Sequence, residues 1–107
     1  MLTDGLYRVS FQTPMGMGAG VIVLSGGRMR GGDSSIYYVG TYSQAGDEFT
    51  ASVATDRHTA GLASVFGVDR VHISLRGRIK DGSVTMQGSA AEAPGISFQA
   101  MLMKLSD

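Results

Sequence analysis

The sequence predicts an all-β fold, one small up-and-down antiparallel β-barrel of about eight strands, with residues 1–107 forming a single domain. Three observations predict it. Short segments of apolar and polar alternation recur along the chain. Glycine-centred turns separate them, drawn from 16 glycines, while proline is confined to Pro14 and Pro94. No stretch holds helical periodicity over three turns. Without a helix to cover a sheet edge, closure is the economical way to remove edges. A two-sheet β-sandwich is the alternative, because turn signals do not separate it from a barrel.

The elements follow in order. Leu6–Gln12 alternates, with Tyr7, Val9 and Phe11 on one face and Arg8, Ser10 and Gln12 on the other. Pro14 and Gly16 break the run. Met17–Ser25 is the second strand, ended by Gly26-Gly27, and Arg28–Arg30 a short third. Ser35–Ser43 and Glu48–Thr55 form a hairpin around Gly46, with Phe49, Ala51 and Val53 sharing a face. Asp56–Asp69 is irregular and reads as a long loop holding at most one helical turn. Alternation resumes with Val71, Ile73 and Leu75 inward and His72, Ser74 and Arg76 outward. Asp81-Gly82 is a two-residue hairpin signal, since both central positions want positive φ. Ser83–Ala90 follows, "EAPG" makes the last turn, and Ile96–Leu105 closes the chain with Ile96, Phe98, Ala100 and Leu102 on one face.

Composition excludes several functions. Nine Lys and Arg balance nine Asp and Glu, giving a formal net charge of zero. No basic surplus is available to neutralise phosphates, so direct nucleic-acid binding is not expected. The absence of cysteine removes disulfides, thiolate catalysis and Cys-based zinc sites. The opening "MLTDGLYRVS" places Asp4 and polar residues where a signal peptide needs an apolar run, and the longest fully apolar run, Val21–Leu24, is far too short for a bilayer. The expected location is cytoplasmic, with no membrane association.

Candidate chemistry is sparse. In "GGDSSIYYVG", Gly31–Gly40, the two glycines and Asp33 read as a turn, with Asp33 and Ser34 bonding nearby backbone amides. Ile36 and Tyr38 then face one way and Tyr37 and Val39 the other. A nucleophilic Ser34 or Ser35 needs a base and an oxyanion hole, and His58 with Asp56 in the irregular loop is the only partner in view. No GxSxG elbow is present. "GMGAG" at 16–20 leads into a strand rather than the helix that a dinucleotide loop requires. His58 and His72 bind a metal only if the fold joins them to a carboxylate. No catalytic residue, metal or cofactor is expected, and the chain reads as a non-enzyme.

Apolar residues on both faces of a strand carry more information. In the second strand Val21 and Val23 face one way and Ile22 and Leu24 the other; in the last, Met101, Met103 and Leu105 oppose Phe98 and Leu102. The expectation is an outer patch of Ile22, Leu24, Met101 and Met103 that makes a homodimer. The inner face, with Tyr7, Phe11, Phe49, Val53, Ile73, Met86 and Phe98, is expected to line a cavity in which small residues such as Ala51, Gly88 and Ala100 leave room for a small apolar ligand.

"GLYRVSF", followed by "GAGVIVLSGGRMRGGDSSIYYVGTY", resembles the GrlR family of negative regulators of type III secretion. The likeness covers roughly the first half of the chain. It implies an eight-stranded lipocalin-like barrel with a hydrophobic cavity, a homodimer, and regulation by binding a transcriptional activator rather than DNA. The family's acidic turn after the tyrosine-containing strand corresponds here to "SQAGDEF", where only Asp47 and Glu48 match in acidity. Those two residues are the implied partner-binding positions. A carrier or sensor for a small hydrophobic ligand is the alternative function.

Overall fold

The computed structural model describes residues 1–61 and 63–107. Eight antiparallel strands run in sequence order: β1 (Gly5–Thr13), β2 (Gly16–Ser25), β3 (Arg28–Gly32), β4 (Ile36–Ala45), β5 (Glu48–Arg57), β6 (Val71–Lys80), β7 (Ser83–Ala90) and β8 (Ala93–Ser106). Each pairs with its neighbours, and β8 returns to pair with β1, closing the barrel. The all-β, up-and-down barrel is therefore the fold, and the sandwich alternative falls. Among the described residues no helix is long and apolar enough to cross a membrane.

The turns explain the order. At Asp81-Gly82 both residues have positive φ, 53° and 76°, the backbone that matches the right-handed twist of the flanking strands. The last turn falls earlier than "EAPG" suggests. Ala91 and Glu92 make it, and Ala93 already pairs with Ala90. The Glu92 carboxylate fixes this turn by accepting the His72 backbone N–H at 2.7 Å and meeting the His72 ring Nδ1 at 2.5 Å. The 58–70 segment is a loop without a helical turn among its described residues; its local device is a turn in which Gly67 N–H donates to Ser64 C=O at 2.9 Å.

Two aspartate-arginine dipeptides clamp the base of that loop. Asp56-Arg57 ends β5, and Asp69-Arg70 precedes β6. They pair crosswise: Arg57 holds Asp69 through two hydrogen bonds of 2.8 and 3.0 Å, and Arg70 holds Asp56 at 3.1 Å. Thr55 Oγ1 adds a bond to Asp69 C=O at 2.8 Å.

Inside, the barrel divides into a packed end and a hollow end. At the packed end Tyr7, Leu24, Phe49 and Val84 are at most 1% exposed. Tyr42 stacks on Phe49 with ring centroids 5.4 Å apart. The N-terminal segment covers this end, where Leu2 is buried and its backbone makes two hydrogen bonds to the Gln44 side chain, at 2.6 and 3.0 Å. Tyr7 Oη donates to Thr3 C=O at 2.7 Å, so the buried phenol keeps a partner.

One expected face is reversed. Ile22 and Leu24 point into the barrel, 4% and 0% exposed, while Val21 and Val23 point out, each 46% exposed. Val9 and Tyr7 are inward on β1 and stand opposite Gly20 and Ile22, which places the even-numbered residues of β2 inside. With both faces of β2 apolar, the strand's own pattern carries no signal for which is inner, and a shift of one residue exchanges them. Met101 and Met103 do face outward.

Candidate functional site: an apolar cavity with an aromatic mouth

The hollow end is made by what β2 lacks. Its inward positions near the 14–15 turn are Gly18 and Gly20. A Cβ on Gly18 would stand 2.8 Å from the Phe11 ring, and one on Gly20 would stand 2.9 Å from the Tyr38 hydroxyl and 2.6 Å from Gly32 C=O. The missing side chains let two aromatic groups from other strands lie against β2. "GMGAG" is thus a space-making device in a barrel wall.

The resulting cavity measures about 290 Å³. Val9, Ile22, Met29, Leu75, Met86 and Leu102 form its deep part, and Phe11, Val53, Ile73 and Phe98 its upper wall. Of the residues expected to line it, Phe11, Val53, Ile73, Met86 and Phe98 do so. Tyr7 and Phe49 do not; they fill the packed end and close the floor below. Their size and place are the reason: both large rings point inward at the same end of the barrel, one from β1 and one from β5, and fill it.

Aromatic rings surround the mouth. Phe11 stacks on Phe98 at 6.0 Å and meets Tyr38 edge-on at 6.0 Å. From the 58–70 loop, Phe66 lies on Phe98 at 5.1 Å with an interplanar angle of 19°. Phe66 is 5% exposed, and it is the one buried residue among those described in the loop. Thr13 Oγ1 donates to Val65 C=O at 2.5 Å and fastens the loop to the end of β1.

Polar groups gather on one side of the mouth. Asp33 Oδ1 accepts the backbone N–H groups of Ser35 (2.9 Å) and Ile36 (2.8 Å), while Asp33 Oδ2 accepts the Tyr38 hydroxyl. Burial pushes the Asp33 carboxyl up, but the Tyr38 bond, the two amides and nearby His58 together hold it below the ordinary value of 3.8. Burial, then the Asp33 bond and charge, push the Tyr38 phenol far above its ordinary value of 10.0. The pair is therefore a carboxylate and a neutral phenol. His58 lies beside it with both ring nitrogens engaged, Nε2 with Asp33 C=O at 2.9 Å and Nδ1 with Thr59 Oγ1 at 2.7 Å.

The other candidates lie elsewhere. His72 faces outward and pairs with Glu92. Among the described residues no three His, Asp or Glu side chains group as metal ligands do. Asp47 and Glu48 are exposed at the β4–β5 turn, at the packed end and away from the mouth. Met101 and Met103 share the barrel's outside with Val21, Val23 and Val39. The sequence reading missed Phe66 and the Tyr38–Asp33 pair as mouth residues. The inward parity of Tyr38, two residues beyond Ile36, was the available signal for the second; nothing in the loop's pattern singles out Phe66.

No protein-family model matches this chain, and no curated protein matches it at a significant level.

Proposed function

We propose that this protein binds a small apolar ligand inside its barrel, as a carrier or sensor, without catalysing a reaction on it. The cavity carries the reading. It is about 290 Å³, apolar on nearly all sides, closed below by packed rings and bounded above by Phe11, Phe66 and Phe98. Apolar cavities of ~150 Å³ accept benzene, so the volume here suits a compact ligand of roughly ten to twelve non-hydrogen atoms. Small binding sites are typically concave and apolar with few polar groups. Calorimetry with naphthalene as probe tests it: saturable one-to-one binding is expected, and no binding up to the solubility limit counts against the reading.

A second reading is regulation by protein–protein binding, with a homodimer, as the GrlR-like segments imply. What supports it is the outer apolar group of Val21, Val23, Met101 and Met103, each at least 38% exposed, together with the exposed acidic turn at Asp47 and Glu48. Light scattering at micromolar concentration is expected to show a dimer that Met101→Ser with Met103→Ser converts to monomer. A wild-type chain that is monomeric there removes the dimer. The two readings are compatible if ligand occupancy modulates partner binding, in a cytoplasmic setting.

A further inference from the structure

Asp33 is the one charged side chain lining the cavity among the described residues. A carboxylate offers about four acceptor positions. Two amides occupy Oδ1, and the Tyr38 hydroxyl occupies one position on Oδ2. One acceptor position on Oδ2 is left. Of the lining hydroxyls, Tyr38 donates to Asp33 and Thr55 to Asp69 C=O, while the neutral hydroxyls of Ser34, Ser35 and Ser64 complete the polar side. Ser64 Oγ accepts the Phe66 N–H at 3.1 Å. No Lys or Arg lines the cavity among the described residues. The wall thus presents a fixed negative acceptor at the mouth and apolar surface below it.

We infer that the cavity selects an uncharged, compact, ring-containing molecule with one hydrogen-bond donor, a hydroxyl or N–H, delivered to Asp33 Oδ2, and rejects anions. The inference rests on the ligand-binding reading above and narrows its ligand class. An apolar body fills the space between Phe98, Met86 and Val53, while the donor faces the one charged acceptor of the lining. A ligand carboxylate would meet the Asp33 charge with no cation in the lining to receive it, since Arg57 and His58, which feel the Asp33 charge, stand outside the lining and Arg57 is paired with Asp69; this disfavours fatty acids. The lowered carboxyl pKa of Asp33 agrees, since it keeps the acceptor ionised at neutral pH.

Three probes of nearly one shape test this by calorimetry at pH 7: naphthalene, 2-naphthol and 2-naphthoate. A hydrogen bond to a charged acceptor predicts 2-naphthol about tenfold tighter than naphthalene, with 2-naphthoate the weakest. Asp33→Asn should bring the naphthol and naphthalene affinities within about threefold of each other. Tyr38→Phe keeps the carboxylate and should keep the preference for naphthol, which decides the matter even if Asp33→Asn does not fold. Equal affinity for naphthalene and 2-naphthol in the wild type, or tighter binding of 2-naphthoate, overturns the donor inference and leaves cavity binding standing. If none of the three binds, the ligand-binding reading itself fails and this inference fails with it.

Discussion

Phe66 lies face to face on Phe98, 5.1 Å between ring centroids and 19° from parallel, so a residue from the irregular loop completes the stack that begins with Phe11. A loop anchored by one buried ring should depend on that ring. Phe66→Ala is expected to destabilise the protein by about 2–4 kcal/mol, toward the low side of the range for buried phenylalanines because a loop can collapse into the gap. Urea unfolding measures the loss. In stopped flow, dissociation of bound 2-naphthol should be faster in the variant. An unchanged dissociation rate would mean that the ligand leaves by another route.

Val53 lines the upper wall and is only partly buried. Val53→Phe adds volume where the barrel is hollow. Overpacking a filled core costs about 1–3 kcal/mol; here the change should cost less than about 1 kcal/mol and abolish naphthalene binding. Retained binding with unchanged affinity would place the ligand elsewhere.

The inner and outer faces of β2 should respond very differently to truncation. Leu24 is 0% exposed, and Leu24→Ala is expected to cost about 3–5 kcal/mol. Val23, 46% exposed on the same strand, should cost less than about 1 kcal/mol as Val23→Ala. Chemical denaturation of the two variants checks the register directly, and the reverse order would contradict it.

The Asp33–Tyr38 pair predicts two pH limbs. The folded Asp33 carboxyl lies below its ordinary 3.8, so its contribution is present above that pH and is lost as pH falls through the folded value. The folded Tyr38 phenol lies above its ordinary 10.0, so its contribution is present below pH 10.0 and is lost as pH rises beyond it. Thermal unfolding across both regions should show stability falling at each end. Tyr38→Phe should weaken both limbs, because it removes the alkaline titration and the bond that lowers Asp33. A variant with the alkaline limb intact would assign that limb to the other tyrosines.

Gln44 ties the N-terminal segment over the packed end through two hydrogen bonds to Leu2. Gln44→Ala should cost about 1–3 kcal/mol through the unpaired Leu2 amide and carbonyl. Hydrogen exchange would show it as faster exchange at Leu2, with the strand amides near Ile73 unchanged.

The strand order, the closure and the Asp81-Gly82 turn were legible in the sequence, because alternation and turn chemistry are local properties. So was the role of Asp33 in its turn, since an aspartate two and three residues ahead of free amides can cap them without help from the rest of the fold. The inward set on β1, β5 and β6 was legible too, because only one face of each is consistently apolar; on β8 the first half carries the signal, where Ser97 and Gln99 alternate with Ile96 and Phe98. Three matters needed the tertiary structure. The faces of β2 were set by the partners that Tyr7 and Val9 impose across the ladder, since Val21–Leu24 is apolar on both sides. The division into a packed and a hollow end depended on how large and small inward residues of different strands are distributed: Tyr7 and Phe49 at one end, Gly18 and Ala100 flanking Phe11 at the other. The position of Phe66 followed from a loop whose crosswise Asp56–Arg70 and Arg57–Asp69 pairs, thirteen or so residues apart in the chain, hold it over the mouth. Period-two patterning encodes which side of a strand is apolar; only packing between distant strands decides how much of the enclosed space is filled.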